Sequence, residues 1–186
     1  MTTPDARPDR RPFLYVVVCA AGVAGDVGKL ITAAHERHWE VGVIATPTAA
    51  ADGFFDPAAV AAQTGHPVRA RSRPPGEPRP FPPPDAVAVA PATFNTVNKW
   101  AAGFADSVAL GTLCEACGLG VPIAVLPCVA DALAGHPAYR ESVARLRGMG
   151  VRFGERYTGE PGPDGAGPDF GWERALDLIT PDTARG

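Results

Sequence analysis

Apolar residues along this chain come in short unbroken runs, separated by stretches with helical spacing. Residues 13–19 (Phe-Leu-Tyr-Val-Val-Val-Cys) form a β-branched and aromatic run, the pattern of a strand covered on both faces. A small-residue turn over 20–25 follows. Val27, Leu30, Ile31 and Ala34 then recur at helical intervals, predicting a helix over 26–37. Residues 40–45 read as a second strand that closes a βαβ unit. Asp56 before Pro57 has the form of an N-cap and first-turn proline, opening a helix over 57–64. Further strands are expected at 86–90, 121–126 and 150–153, and further helices at 97–104, 107–117, 136–148 and 172–179. Strand and helix alternate throughout, with short turns after the strands. The fold class expected is therefore α/β: a single domain with a doubly wound, mostly parallel, Rossmann-like sheet in flavodoxin-like order.

Composition changes this picture in one place. The chain has 21 glycines and 21 prolines among 186 residues, just short of the ~25–30% that signals disorder. Seven of the prolines fall between Arg73 and Asp85. That density permits neither a helix nor a central strand, so 74–84 should be an extended loop, connector-like in its middle and lid-like at its ends. A second glycine- and proline-rich stretch covers 154–169. The organisation expected is a disordered arm over 1–12, a domain over 13–153 containing the proline loop, and a loop with a short helix over 154–186.

Charge and cysteines exclude more than they suggest. A net charge of −3 with no long basic block leaves no electrostatic footprint for nucleic acid. No apolar run approaches the length of a membrane span. Cys19, Cys114, Cys117 and Cys128 stand in apolar contexts, as buried thiols of a cytoplasmic protein do. The Cys114-x-x-Cys117 pair has no matching second pair, so no metal is expected.

Ligands of such sheets bind beyond the carboxyl ends of the strands, which directs attention to the turns. Gly22-x-x-Gly25-x-x-Gly28 is neither a dinucleotide fingerprint nor a P-loop. Its glycines serve either a close ligand or close helix–strand packing. Thr46 and Thr48 either grip a phosphate or satisfy their own turn. The third turn is richer. Residues 91–106 read Pro-Ala-Thr-Phe-Asn-Thr-Val-Asn-Lys-Trp-Ala-Ala-Gly-Phe-Ala-Asp, packing amides, hydroxyls and a lysine just past a buried strand.

That segment resembles the P-A-S-A-N-T-x-x-K-x-A-x-G-I-A-D motif of the homo-oligomeric flavin-containing cysteine decarboxylases. The family includes lantibiotic peptide decarboxylases and phosphopantothenoylcysteine decarboxylase, with flavin prenyltransferases more distant. Pro91, Ala92, Asn95, Thr96, Lys99, Ala101, Gly103, Ala105 and Asp106 match without a gap, with Thr93 in place of Ser. The resemblance covers residues 13–153. It implies FMN as cofactor, held near Gly22, Val23 and Ala24 and by Thr46 or Thr48, with Pro91, Ala92, Thr93 and Thr96 bordering the flavin. Asn95 would orient a substrate carboxylate; the alternative for Asn95 is a helix N-cap. The implied substrate is a small thiol or carboxylate, or a peptide's C-terminal cysteine. The implied assembly is a homotrimer or dodecamer, which apolar residues around Phe94, Trp100 and Phe104 would suit, unless they are ordinary core.

Two departures bear on the reaction. The family's catalytic histidine precedes the third strand, where this chain reads Pro-Phe-Pro-Pro-Pro-Asp over 80–85. The family's P-x-M-N-x-x-M-W segment after the fourth strand here keeps only Pro127. His66, some twenty residues before the strand and in reach only if the proline loop returns it, and His136, at a helix start, are the replacement acid/base candidates; the commoner role for a residue like His136 is a cap or packed imidazole. Two functions follow from these departures: an FMN-dependent decarboxylase-like or redox enzyme, or an FMN-binding protein without turnover of its own.

Overall fold

The computed structural model describes residues 10–159 and 169–179. Five parallel strands form one sheet: β1 (Phe13–Val18), β2 (Glu40–Ala45), β3 (Ala86–Ala92), β4 (Ile123–Pro127) and β5 (Arg152–Phe153), in spatial order β2-β1-β3-β4-β5. This is the flavodoxin-like order expected from the sequence. Every residue of β1, β3 and β4 is buried, so each strand needs apolar side chains on both faces.

The two faces are covered by different helices. Leu14, Val16 and Val18 of β1 point to one side, where α1 (Gly28–Glu36) and α3 (Pro57–Thr64) contribute Leu30, Ile31 and Val60. Phe13, Tyr15 and Val17 point to the other, packing with Val97 and Trp100 of α4 (Phe94–Ala101), Leu110 and Leu113 of α5 (Val108–Gly118), and Leu146 of α7 (Pro137–Gly148). The last described helix, α8 (Arg174–Ile179), completes the first layer with Ala175, Leu176 and Ile179. Two further short helices, α2 (Pro47–Ala51) and α6 (Asp131–Ala134), start just past β2 and β4.

Several boundaries differ from those the sequence suggested, each for a local reason. β3 does not turn at Pro91 but continues through Ala92. The Pro91 carbonyl accepts from Cys19 N at 3.2 Å, and the Ala92 carbonyl from Cys128 N at 2.8 Å, across a register shift after Val89. Proline has no N–H to offer a ladder, and an irregularity is where a strand admits one. The next helix starts at Phe94 because Thr93 caps it, accepting from Thr96 N. Trp100 is core at 3% exposure, whereas Phe104, after α4, is exposed. Most of the expected arm over 1–12 and most of the 154–169 stretch lie outside the described residues.

The proline-rich segment is held at one end. Phe81 is 3% exposed, Tyr15 Oη donates to the Pro82 carbonyl at 2.7 Å, and Asp85 accepts from Phe13 N at 2.6 Å and from Arg10. Upstream, Arg69 bridges the edge of β2, donating its N–H to Val43 and accepting from Ala45 N. Gly42 makes room for this arrangement: a Cβ there would lie 2.8 Å from the Phe13 ring and 2.9 Å from that of Phe81.

Candidate functional site

Connections leaving β1 and β3 cover opposite faces of the sheet, so their carboxyl ends diverge and leave a crevice. A cleft of about 650 Å³ occupies it, within the size range of small-molecule and cofactor sites. Its lining comes from four strand ends: Ala20, Ala21 and Gly22 after β1; Thr46, Pro47 and Thr48 after β2; Thr93–Thr96 with Lys99 after β3; Cys128, Val129 and Ala130 after β4. Asp106 and Ser107 close it from the turn that opens α5, Leu110 from α5 itself, and Leu133 from α6.

Local chemistry fixes each contribution. A Cβ on Gly22 would meet nothing within 4 Å, so backbone is open to a ligand there. Thr46 is the N-cap of α2, its hydroxyl accepting from Ala49 N at 3.4 Å, and Thr48, on the exposed first turn, has no side-chain hydrogen bond among the described residues. Thr93 caps α4 and its hydroxyl lies 3.1 Å from that of Thr96. With the cap supplied by Thr93, Asn95 is not the cap. Its exposed amide makes no hydrogen bond among the described residues, so its donor and acceptor are both available at the cleft. Phe94 stacks on Tyr139, ring centroids 5.9 Å apart, and forms an apolar wall with Val129, Leu110 and Leu133.

Ionisable groups in the cleft are few. Lys99 and Asp106 pair with each other at 2.6 Å and are part-exposed, a geometry worth at most about 1 kcal/mol. Burial holds the Cys128 thiol above its ordinary pKa, so it is protonated at neutral pH. Beneath the floor, burial likewise raises the pKa of Cys19, against hydrogen bonds from Thr96 and Thr93.

The structure brings Gly22, Thr46, Thr48, Thr93, Asn95 and Thr96 together on one cleft. It leaves out the other candidates. Val23 and Ala24 turn away into the 3-10 turn Ala24–Asp26, with Ala24 fully buried under α1. Pro91 and Ala92 are buried in β3 behind the lining. His66 packs against Phe13 and Phe81 at 5.4 and 5.6 Å, at the amino end of β1 and so a whole strand from the cleft. His136 caps α7, its Nδ1 accepting from Ala138 N at 3.1 Å, and touches the edge of Phe94 from behind. Ser107, Leu110, Val129 and Leu133 join the lining without having been singled out, and so do Phe94, read as interface or core, and Cys128, read as a buried thiol. Two signals were readable: Ser107 as a cap, and the apolar residues following Pro127.

Comparisons with known proteins agree with this geometry. The family model described as Flavoprotein matches residues 6–167. The coenzyme A biosynthesis bifunctional protein CoaBC of Thermococcus kodakarensis is 34% identical over 69 residues, covering 37% of this chain and 17% of that protein's length. Among solved structures, the FMN-dependent cysteine decarboxylase SpaF superposes with a TM-score of 0.67 at 24% identity, over 91% of this chain and 96% of that one. TvaF, an FMN-dependent cysteine decarboxylase from thioviridamide biosynthesis, reaches a TM-score of 0.71 at 19% identity, over 91% and 99%. The FMN-binding protein AtHal3 gives 0.69 at 19% identity, over 95% and 100%.

Proposed function

The chain belongs to the Flavoprotein family, and from that membership we propose that its cleft binds FMN for redox chemistry on a small thiol or carboxylate, or on a peptide's C-terminal cysteine. The observation that carries the reading is the convergence of an open glycine turn, four threonine hydroxyls and an exposed amide on one apolar-walled cleft of cofactor size. The residues present fit the group. Backbone at Gly22 and the hydroxyls of Thr46 and Thr48 would hold the phosphate, while Thr93 and Thr96 would border the ring and Phe94 would wall it. Bound FMN supplies hydride acceptance; the protein supplies binding, orientation and exclusion of water. Asn95 would hold a substrate carboxylate through its amide N–H groups. The family trimer or dodecamer is part of this reading, and the exposed Phe104, Leu119, Leu133 and Met149 offer apolar surface for it.

A second reading, FMN binding without turnover by this chain alone, is favoured by one observation. All four histidines are among the described residues and none lines the cleft. The cleft's charged side chains are already paired with each other. Both readings require flavin. Purified protein should be yellow or take up added FMN with quenching of its fluorescence; colourless protein that fails to bind added FMN ends both. Anaerobic bleaching by cysteine or a cysteine-ended peptide then separates them, since only the enzyme reading predicts it.

A further inference from the structure

A second cavity, of about 480 Å³, lies between the proline-rich segment and α5. It meets the flavin cleft at Asp106 and Ser107, which line both. Three arginines line it: Arg69, Arg73 and Arg79. One carboxylate, Glu115, joins them, and Asp106 at the junction is engaged by Lys99. On a chain of net charge −3, this is a concentration of positive charge in one hollow.

The arginines outnumber their counter-ions three to one, with Glu115 the carboxylate among them. None of the three forms an ion pair among the described residues, although seven ion pairs elsewhere engage arginine or lysine. Arg69 is half-buried, its guanidinium over the Phe81 ring at 5.8 Å, and its backbone is locked to β2. Arg73 donates only to the Glu77 carbonyl. Arg79 has no hydrogen-bond partner among the described residues. With one backbone carbonyl accepting from Arg73 and none from Arg69 or Arg79 side chains among the described residues, most of the guanidinium donors are left for an anion to engage. Burial above all depresses the pKa of Arg69; Arg73 and Arg79 push the same way, against the opposing pull of Tyr15 and Glu115. The arrangement is also preorganised: Tyr15 and Phe81 anchor the segment, and its prolines leave little backbone freedom to lose on binding.

We propose that this cavity is an oxyanion subsite, in which Arg69, Arg73 and Arg79 hold a phosphate monoester or carboxylate at the far end of an extended substrate. The junction at Asp106 and Ser107 gives that substrate its path into the cleft, and this half of the proposal rests on the flavin reading above. The oxyanion need not be the reacting carboxylate, which Asn95 would hold.

The test uses the full chain, saturated with FMN, titrated calorimetrically at constant ionic strength with inorganic phosphate and, separately, with succinate. Saturable binding of at least one is expected, weakened about tenfold in Arg79→Gln and in Arg73→Gln. Which of the two binds distinguishes a phosphate from a carboxylate end. Both substitutions are at exposed side chains, and an unchanged melting temperature and unchanged flavin spectrum confirm that fold and cleft persist. Absence of saturable binding to either anion overturns the proposal, as does binding that the substitutions leave unaltered. A parallel titration of FMN-free chain in which phosphate binds through the arginines but is displaced by added FMN also overturns it, because the arginines would then serve the cofactor. A chain that binds no FMN but holds phosphate through Arg79 keeps the subsite and loses the flavin reading; the reverse result loses only the subsite.

Discussion

Replacing Gly42 by alanine tests how the proline-rich segment is anchored. The added methyl would sit 2.8 Å from Cε1 of Phe13 and 2.9 Å from both Cδ2 and Cε2 of Phe81. Ordinary carbon contacts lie at about 3.5–4.0 Å, so both rings must withdraw by most of an ångström. Neither has room. Phe13 is fully buried among Tyr15, His66 and Phe81, with ring centroids 5.4 to 5.8 Å away. Overpacking of this kind costs about 1–3 kcal/mol. At about 2–4 °C per kcal/mol for a domain of this size, the melting temperature should fall by roughly 2–12 °C. Melting should be followed on protein freed of FMN, since bound ligand raises stability by mass action and hides the difference. Introducing Phe81→Leu removes ring atoms from the crowded spot, so Gly42→Ala should cost less in that background by at least about 0.5 kcal/mol. A Gly42→Ala protein as stable as the parent, or strict additivity with Phe81→Leu, would refute the account of Phe81 as the segment's anchor.

Other consequences can be checked with the same protein. Thr93→Ala removes the α4 cap and should cost about 1 kcal/mol in denaturant unfolding, with weakened FMN binding; Thr93→Ser should restore both. His136→Ala should lose about 0.5–2 kcal/mol through the α7 cap yet keep FMN affinity within about threefold, and His66→Ala should likewise spare the cleft, as fluorescence titration will show. The four thiols all have pKa values raised by burial above the ordinary thiol value. The unfolded chain therefore releases its thiol protons first: stability is fully present below pH 9 and falls as pH rises from there through the folded values. Cys19→Ala, at the one fully buried thiol, should flatten that alkaline fall in urea midpoints measured from pH 8 to 10.5.

The sheet could be read from the chain because a strand buried on both faces writes itself as a continuous apolar run, as residues 13–19 and 86–90 do. Helix α3 was legible to the residue, since Asp56 and Pro57 are a start signal and Gly65, at φ 73°, a stop. The short α2 and α6 were not, because four or five residues show no period. At the site, the turn from Thr93 to Thr96 was legible from its density of polar groups after a strand. Pro91 and Ala92 were misplaced for a related reason: proline marks a turn in sequence, but here the bulge carries it as strand. The two histidines illustrate the limit of spacing. An imidazole in a sequence carries no sign of whether it faces a cleft, and Phe13, Phe81 and the α7 cap had already claimed these two. The arginine hollow was invisible because it joins residues from three parts of the chain, across a segment whose prolines resemble a tether.

The alternation of alanine and valine in β3 has a consequence for the order in which the protein can be made. Ala86, Ala88 and Ala90 face α8, while Val87 and Val89 face the α4–α5 side. Small side chains on one face let a late helix come close to the sheet, but they leave that face shallow and poorly covered until the helix arrives. During synthesis, β1 through β4 and the whole cleft emerge well before residues 174–179. Nascent chain therefore waits with Ala88, Ala90, Ala124 and Leu126 open to water. A ribosome stall or proteolytic cut ahead of Trp172 would yield a chain that holds every cleft residue yet lacks one wall of its core.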